Sequence, residues 1–225
     1  PQCSEGNYGI IMNGPRGWNG PEYAQGWSFN VPTEDFYNSY HPQDLRRDAT
    51  ILNIEEFATA TGASYTEGYN HTGFFNNKYI PRAGESGGQI ELNYLTNYRI
   101  IRYADVLLMA AEAAVETGAL ETGRSYVNQV RARAKNGPRA DSQPNYVIDT
   151  YNSAWSDQAA ARNAVRHERR VELAMEGHRL FDLRRWGNMV ETLNAYIANE
   201  GRTIANFAAK ANPVQAKHNA NPIPC

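Results

Sequence analysis

The chain has 225 residues, a net charge of -2 and 41% hydrophobic residues. This length suits one domain or two small ones, and the apolar share is enough for a real core. So small a charge excludes a bulk basic field for nucleic acid or an anionic membrane, and with no run of about 18 apolar residues no transmembrane helix is expected.

The charge mix is lopsided: 18 of the 22 basic residues are Arg. Arg suits planar, bidentate, partly buried ion pairs, so internal Arg–carboxylate networks are expected. The two cysteines, Cys3 and Cys225, stand near the two ends, and two cysteines settle neither a pairing nor a redox compartment. No signal-peptide pattern opens the chain. It begins at Pro1 and closes on "NPIPC", and is expected to be a piece of a longer one.

Residues 1–97 are expected to be loop-rich. The stretch "NGPRGWNGPEYAQGW" (13–27) is an imperfect doublet of Asn-Gly-Pro turns, each followed by Gly-Trp. Glycine and proline at this density forbid a helix. Eight aromatics fall between residues 8 and 40: Tyr8, Trp18, Tyr23, Trp27, Phe29, Phe36, Tyr37 and Tyr40. Phe29, Phe36 and Tyr37 are expected to anchor the loop. Trp18 and Tyr23, beside the turns, are expected to project outward. Trp27, followed at period two by Phe29 and Val31, is expected to face the core or floor a platform. Flat rings with a polar edge match the apolar face of a pyranose, with Asn13, Arg16, Asn19, Glu22 and Gln25 interleaved as hydrogen-bonding groups. The other reading is a loop whose tryptophans plug a core, and the residues alone leave the two even.

Further along, "TEDFYNSY" (33–40) carries a helix start, with Thr33 as cap and Glu34 and Asp35 in the first turn. Short strands are expected at "ATILNI" (49–54), "KYI" (78–80) and "QIELNYL" (89–95). "GESGG" (84–88) fits G-x-S-x-G, with Ser86 as the nucleophile. It lacks the preceding buried strand and following helix that such an elbow needs, so a Gly/Ser turn is the better account.

The second half changes character. "YRIIRYADVLLMAAEAAVETG" (98–118) sets Ile100, Ile101, Ala104, Leu107, Leu108, Ala111 and Val115 at helical spacing, with Gly118 as the stop. "LETGRSYVNQVRARAKNGP" (120–138) makes a second helix, and the short turn forces an antiparallel hairpin. Ala111, Gly118 and Gly123 sit where helices would approach closely. The hairpin has the spacing of one tetratricopeptide unit. A lone unit cannot bury both faces, so it is expected to pack on a third helical region or on chain outside this sequence.

That third region, 157 to about 186, places Ala164, Glu168, Val171, Met175 and His178 on one stripe. A buried Glu168 needs a cation, with Arg169, Arg170, Arg184, Arg185, Arg99 and Arg102 as candidates, and Gly177 should bend or end the helix. His167 and His178 are eleven residues apart, which does not match the spacing of a helical metal site. Loop carboxylates Glu22, Asp35, Glu67 and Glu85 carry no sign of a pair at about 5 Å or at about 6.5–9.5 Å, the two separations that glycoside hydrolysis uses.

Three stretches together, "NYRIIRYADVLLMAAEAAVETG", "YVNQVRARA" and "VRHERRVELAMEGHRLFDLRRWG", resemble the SusD/RagB family of outer-membrane nutrient-binding lipoproteins. "GWSFNVPTEDFYNSYHPQDLRRDATI" and the terminal "NPIP" are similar to other parts of that family. The resemblance implies a mainly α fold: a tetratricopeptide-type hairpin, long loops and a few short strands. It implies a single domain laid out as a loop-rich aromatic region (1–97), a helical core (98–198) and an irregular tail (199–225), with the N-terminal half of the polypeptide and its lipidated cysteine outside this sequence. It implies a non-catalytic surface protein that captures a glycan and passes it to a SusC-like TonB-dependent transporter at the outer membrane; no cofactor and no metal are expected. The family's aromatic arcs tip the loop toward a sugar platform of Trp18, Tyr23, Trp27, Tyr8, Asn19 and Arg16. Glu168, Arg169, Arg170, Glu172, Arg184 and Trp186 are then structural. The rivals are a tetratricopeptide-like scaffold for a protein or peptide, and a secreted glycosidase.

Overall fold

The structure is a computed structural model, and it describes residues 8–42, 44–68, 71–85, 94–137, 148–202, 204, 207 and 211–219. Cys3, Cys225, Ser86, most of "QIELNYL" and the "NPIP" segment lie outside the described residues. The chain divides into two compact units, one of 1–38, 49–98 and 180–225, the other of 39–48 and 99–179. The described residues are mostly helical with two short strands.

The second unit is built on a hairpin of α4 (Tyr103–Glu116) and α5 (Leu120–Lys135), with α6 (Gln158–Glu172) packed against both. The expected stripe is largely correct: Ala104, Leu107, Leu108, Ala111 and Val115 are buried with Val127, Val130, Ala161, Val165 and Leu173. Ile100 and Ile101 are corrected. The helix starts at Tyr103, so they precede it and stand exposed. Gly118 ends the hairpin's first helix at φ 84°, its N–H bonding the Val115 carbonyl at 3.1 Å. The close approach belongs to Gly123, where a Cβ would stand 2.6 Å from Val115 Cγ2. Beside Gly118 there is open space, so that glycine serves conformation rather than contact.

An ion-pair lattice threads this unit, as the Arg bias predicts. Glu168 is 0% exposed. Its partners are Arg46 Nη1 at 2.5 Å and Arg131 Nη1 at 3.0 Å, rather than any of the candidates Arg169, Arg170, Arg184, Arg185, Arg99 and Arg102. Glu172 takes Arg102 at 2.6 Å, Arg133 at 2.5 Å and Arg46 at 3.1 Å. Glu176 pairs with Arg102 at 2.7 Å, and Arg169 with Asp105 at 2.9 Å. The stripe of α6 runs through Ala161, Val165, Glu168 and Glu172, while Ala164 and Met175 lie at its margin, half-buried. The chain leaves the helical path through Met175 (φ 63°) and Gly177 (φ 86°) before α7 (Arg179–Arg185).

The first unit carries α1 (Glu34–Tyr37), capped as expected by Thr33 Oγ1 accepting the Phe36 N–H. After α2 (Leu45–Thr50), strand β1 (Ile51–Asn53) runs antiparallel to β2 (Phe74–Asn76), with Leu52 opposite Phe75. Between them lies α3 (Ile54–Thr61), capped by Asn53 and ended by Gly62 at φ 69°. "KYI" forms no strand, although Tyr79 and Ile80 are buried. Helix α8 (Met189–Glu200) lies against α1. The core gathers Trp18, Tyr23, Leu52, Ile54, Phe75 and Ile80, flanked by Phe57 and Tyr65.

Candidate functional site

The loop of residues 8–31 is laced to itself. The N–H groups of Gly26, Trp27, Ser28 and Phe29 donate to the carbonyls of Pro15, Ile11, Gly14 and Met12 at 2.8–2.9 Å. Gly14 and Gly26 make this crossing possible: a Cβ on Gly26 would lie 2.3 Å from Gly14 Cα. Two of the glycines in the doublet therefore serve close backbone approach.

The second half of the doublet is pinned elsewhere. Asn19 and Ser64 exchange N–H···O bonds of 2.9 and 3.0 Å, and Tyr23 bridges Arg82. These bridges fold the rings under the loop. Trp18 is 8% and Tyr23 6% exposed, and both pack on Phe57, at centroid distances of 5.9 and 5.1 Å. The expectation that they project outward is therefore corrected. Turn residues fix the path of a backbone, but backbone pairing to distant segments decides which side its rings take. A ring so covered offers no open face to a sugar. Burial pushes the Tyr23 hydroxyl above its usual range, although the Arg82 guanidinium over its ring opposes this.

The exposed rings are others. Tyr8 is 46% exposed and lies on half-buried Trp27, with centroids 5.5 Å apart and planes tilted by 30°. Phe29 is 44% exposed, where the period-two pattern had placed it in the core. Left-handed backbone at Ser28 (φ 59°) and Asn30 (φ 51°) breaks that period on either side of it. Arg16 is exposed, and its Nη2 donates to the Trp27 carbonyl at 3.0 Å while its backbone N–H donates to Ser28 Oγ at 2.9 Å. Asn19 is exposed as well. Asn13 is not the free hydroxyl partner that the sequence suggested, being 4% exposed and bonded within the loop.

Tyr8, Trp27 and Arg16 thus come together, Trp18 and Tyr23 drop below the surface, and Asn19 stands with the pinned half. Two adjoining rings with an arginine at the backbone of one can take the apolar face of a ring-shaped polar ligand and hydrogen-bond its edge. Among the described residues, no three His, Cys, Asp or Glu side chains gather as a metal site. A separate apolar surface lies on α4, where Tyr103, Val106 and Met109 stand exposed at helical spacing opposite the buried stripe.

The chain is similar to known proteins. SusD-like protein P2 of Formosa agariphila is 30% identical over 197 residues, covering 82% of this chain and 37% of that protein. A structure titled as a laminarin binding SusD-like protein matches with a TM-score of 0.68 and 36% identity, over 84% of this chain and 38% of the other. Surface glycan-binding protein A from Bacteroides thetaiotaomicron, in complex with laminarihexaose, matches with a TM-score of 0.65 and 28% identity, over 82% and 38%. The chain therefore spans well under half the length of these relatives. The profile described as the SusD family matches residues 3–224, and the chain belongs to the SusD family.

Proposed function

We propose that this chain serves, within a longer polypeptide, as part of a non-catalytic cell-surface protein that captures an oligo- or polysaccharide. The observation that carries the reading is the Tyr8–Trp27 ring pair, exposed Tyr8 lying on half-buried Trp27, on a loop whose backbone is laced closed. Rigid rings lose little conformational freedom on binding, and a closed loop lowers the ordering cost further. Family membership and the glycan ligands named for two solved relatives support the same class. Delivery of the glycan to a SusC-like TonB-dependent transporter, at the outer membrane and through a lipid anchor, completes the proposal.

The α4 surface of Tyr103, Val106 and Met109 fits a different role. A helix apolar on nearly every side is normally covered on every side, and a tetratricopeptide-type unit is normally stacked on others. We assign this face to the remainder of the same polypeptide, which on this reading contributes the N-terminal helices.

The test is a panel of soluble polysaccharides presented to the full-length protein, together with purification from membranes. Retention by at least one polysaccharide, without its cleavage, and co-purification with a TonB-dependent transporter are expected. Turnover of the retained glycan would replace the binding reading with the glycosidase one. Binding without co-purification would remove the delivery step alone.

A further inference from the structure

We infer that Asn13 is a positioning residue that sets the Tyr8–Trp27 pair in its binding arrangement. This rests on the glycan-binding reading above.

Asn13 closes a short 3-10 turn (Ile11–Asn13) and is 4% exposed. Its Oδ1 accepts two amide donors, Asn30 Nδ2 and Asn76 Nδ2, each at 2.9 Å. Its own Nδ2 donates to the Gly9 carbonyl. One side chain thus holds three segments. Gly9 adjoins Tyr8, Asn30 follows the Trp27–Phe29 run, and Asn76 ends strand β2, where it is 0% exposed. Asn76 gives the hub a fixed base, since Asn76 lies opposite Ile51 in the sheet and its Oδ1 also accepts the Lys78 N–H at 3.1 Å.

The chemistry suits asparagine. The site needs an acceptor for two donors and a donor for one carbonyl, on a side chain short enough to stay buried. Aspartate has no donor for Gly9. Leucine would leave the Asn76 amide without its acceptor. The ring-bearing segments are joined by backbone bonds, by the Tyr8–Trp27 ring contact, by the bonds of Arg16 to the Trp27 carbonyl and Ser28 Oγ, and by this hub, and Ser28 and Asn30 are held in left-handed backbone beside Trp27. Such conformations persist only where surrounding contacts fix them. Loosening the hub leaves both rings present but their mutual angle unset.

Two substitutions in the full-length protein separate the ties. Asn30→Gly removes the bond on the Trp27 side while keeping left-handed backbone accessible. Asn13→Asp keeps the acceptor and removes the bond on the Tyr8 side. Trp27→Ala is the control for the platform itself. Each is run by affinity electrophoresis through gels carrying soluble polysaccharides, laminarin among them. Thermal midpoints and acrylamide quenching of Trp27, taken as the difference from Trp27→Ala, are read alongside.

Both tie variants should weaken retardation by about tenfold, the scale of re-ordering two freed ring side chains. Both should make Trp27 more quenchable in the free protein, while the midpoint moves little. A lowered midpoint with unchanged retardation would make Asn13 merely structural and overturn the inference, as would failure of both variants to fold. If Trp27→Ala loses retardation while both tie variants keep it, the platform stands and the positioning role falls. If Trp27→Ala migrates like the parent, or the parent is retarded by no polysaccharide, the platform fails and the inference fails with it.

Discussion

Glu168, with no exposed surface, is bonded at 2.5 Å to Arg46, a residue 122 positions earlier in the chain. Arg131 closes its other oxygen at 3.0 Å. Glu168→Ala would take a shared buried counter-charge from Arg46 and Arg131, whose side chains are each only 12% exposed, leaving Arg46 to Asp44 and Glu172 and Arg131 to the Asp149 carbonyl. Breaking a buried pair from one side costs about 3–5 kcal/mol. The full-length protein should lose about 3 kcal/mol or more by denaturant titration, and a loss within about 0.5 kcal/mol, the usual size of a surface effect, would contradict the burial argument.

Two buried acids should respond to pH in opposite senses. Burial pushes the Glu172 carboxyl up, but Arg102, Arg133 and Arg46 outweigh it and hold the group below its usual range. Its folded value lies below the unfolded one, so its stabilisation is present above about pH 4.3 and is lost as pH falls through the folded value. Glu200 is raised by its burial, against the opposing Asp35 N–H, with the Asp35 and Glu34 charges adding to the rise. Its destabilisation therefore appears as pH climbs from about 4.3 through the raised value. Melting curves should show Glu200→Gln more stable than the parent at neutral pH, with the gain vanishing at about pH 4 and below. Glu172→Gln should show the reverse sign, a loss at neutral pH that shrinks in acid.

The hairpin's contact point makes a steric prediction. A Cβ on Gly123 would meet Val115 Cγ2 at 2.6 Å and the Ala111 carbonyl oxygen at 3.1 Å. Gly123→Ala should destabilise by roughly 1–3 kcal/mol through overpacking, despite alanine's better helix propensity. Gly118→Ala, in open space but at φ 84°, should cost only about 1 kcal/mol through backbone strain. Equal effects at the two positions in urea titrations would refute this division of roles.

Trp18 belongs to the core on this structure. Trp18→Ala should lower stability by about 3–5 kcal/mol, as expected for removing a buried aromatic. Any lost binding should then follow unfolding, and return when the variant is assayed well below its midpoint. Full stability with abolished binding would restore Trp18 to the surface.

What could be read from the sequence follows from the range of each interaction. The α4–α5 hairpin was legible because its apolar spacing and Gly118 are local signals. Thr33 was legible for the same reason. Helix α3 carries equally local marks: Asn53 as cap, Glu55 and Glu56 in the first turn, and Gly62 after the end. The burial of Glu168 could be read from its stripe. Its partners could not, because Arg46 and Arg131 arrive from other segments. The same limit governs the loop. Which ring is covered depends on bridges from Asn19 to Ser64 and from Tyr23 to Arg82, and no local pattern in 13–27 encodes those pairings. Tyr8 and Trp27 were legible as candidates but not as rings in contact.

The most direct test of the central claim is isothermal titration of the full-length protein and its Trp27→Ala variant with a polysaccharide that the parent retains. The variant should lose detectable binding, since an interface built on rings concentrates its affinity in a few aromatic contacts, while its melting transition stays cooperative. Unchanged affinity in the variant would contradict the claim that the Tyr8–Trp27 pair is the glycan platform.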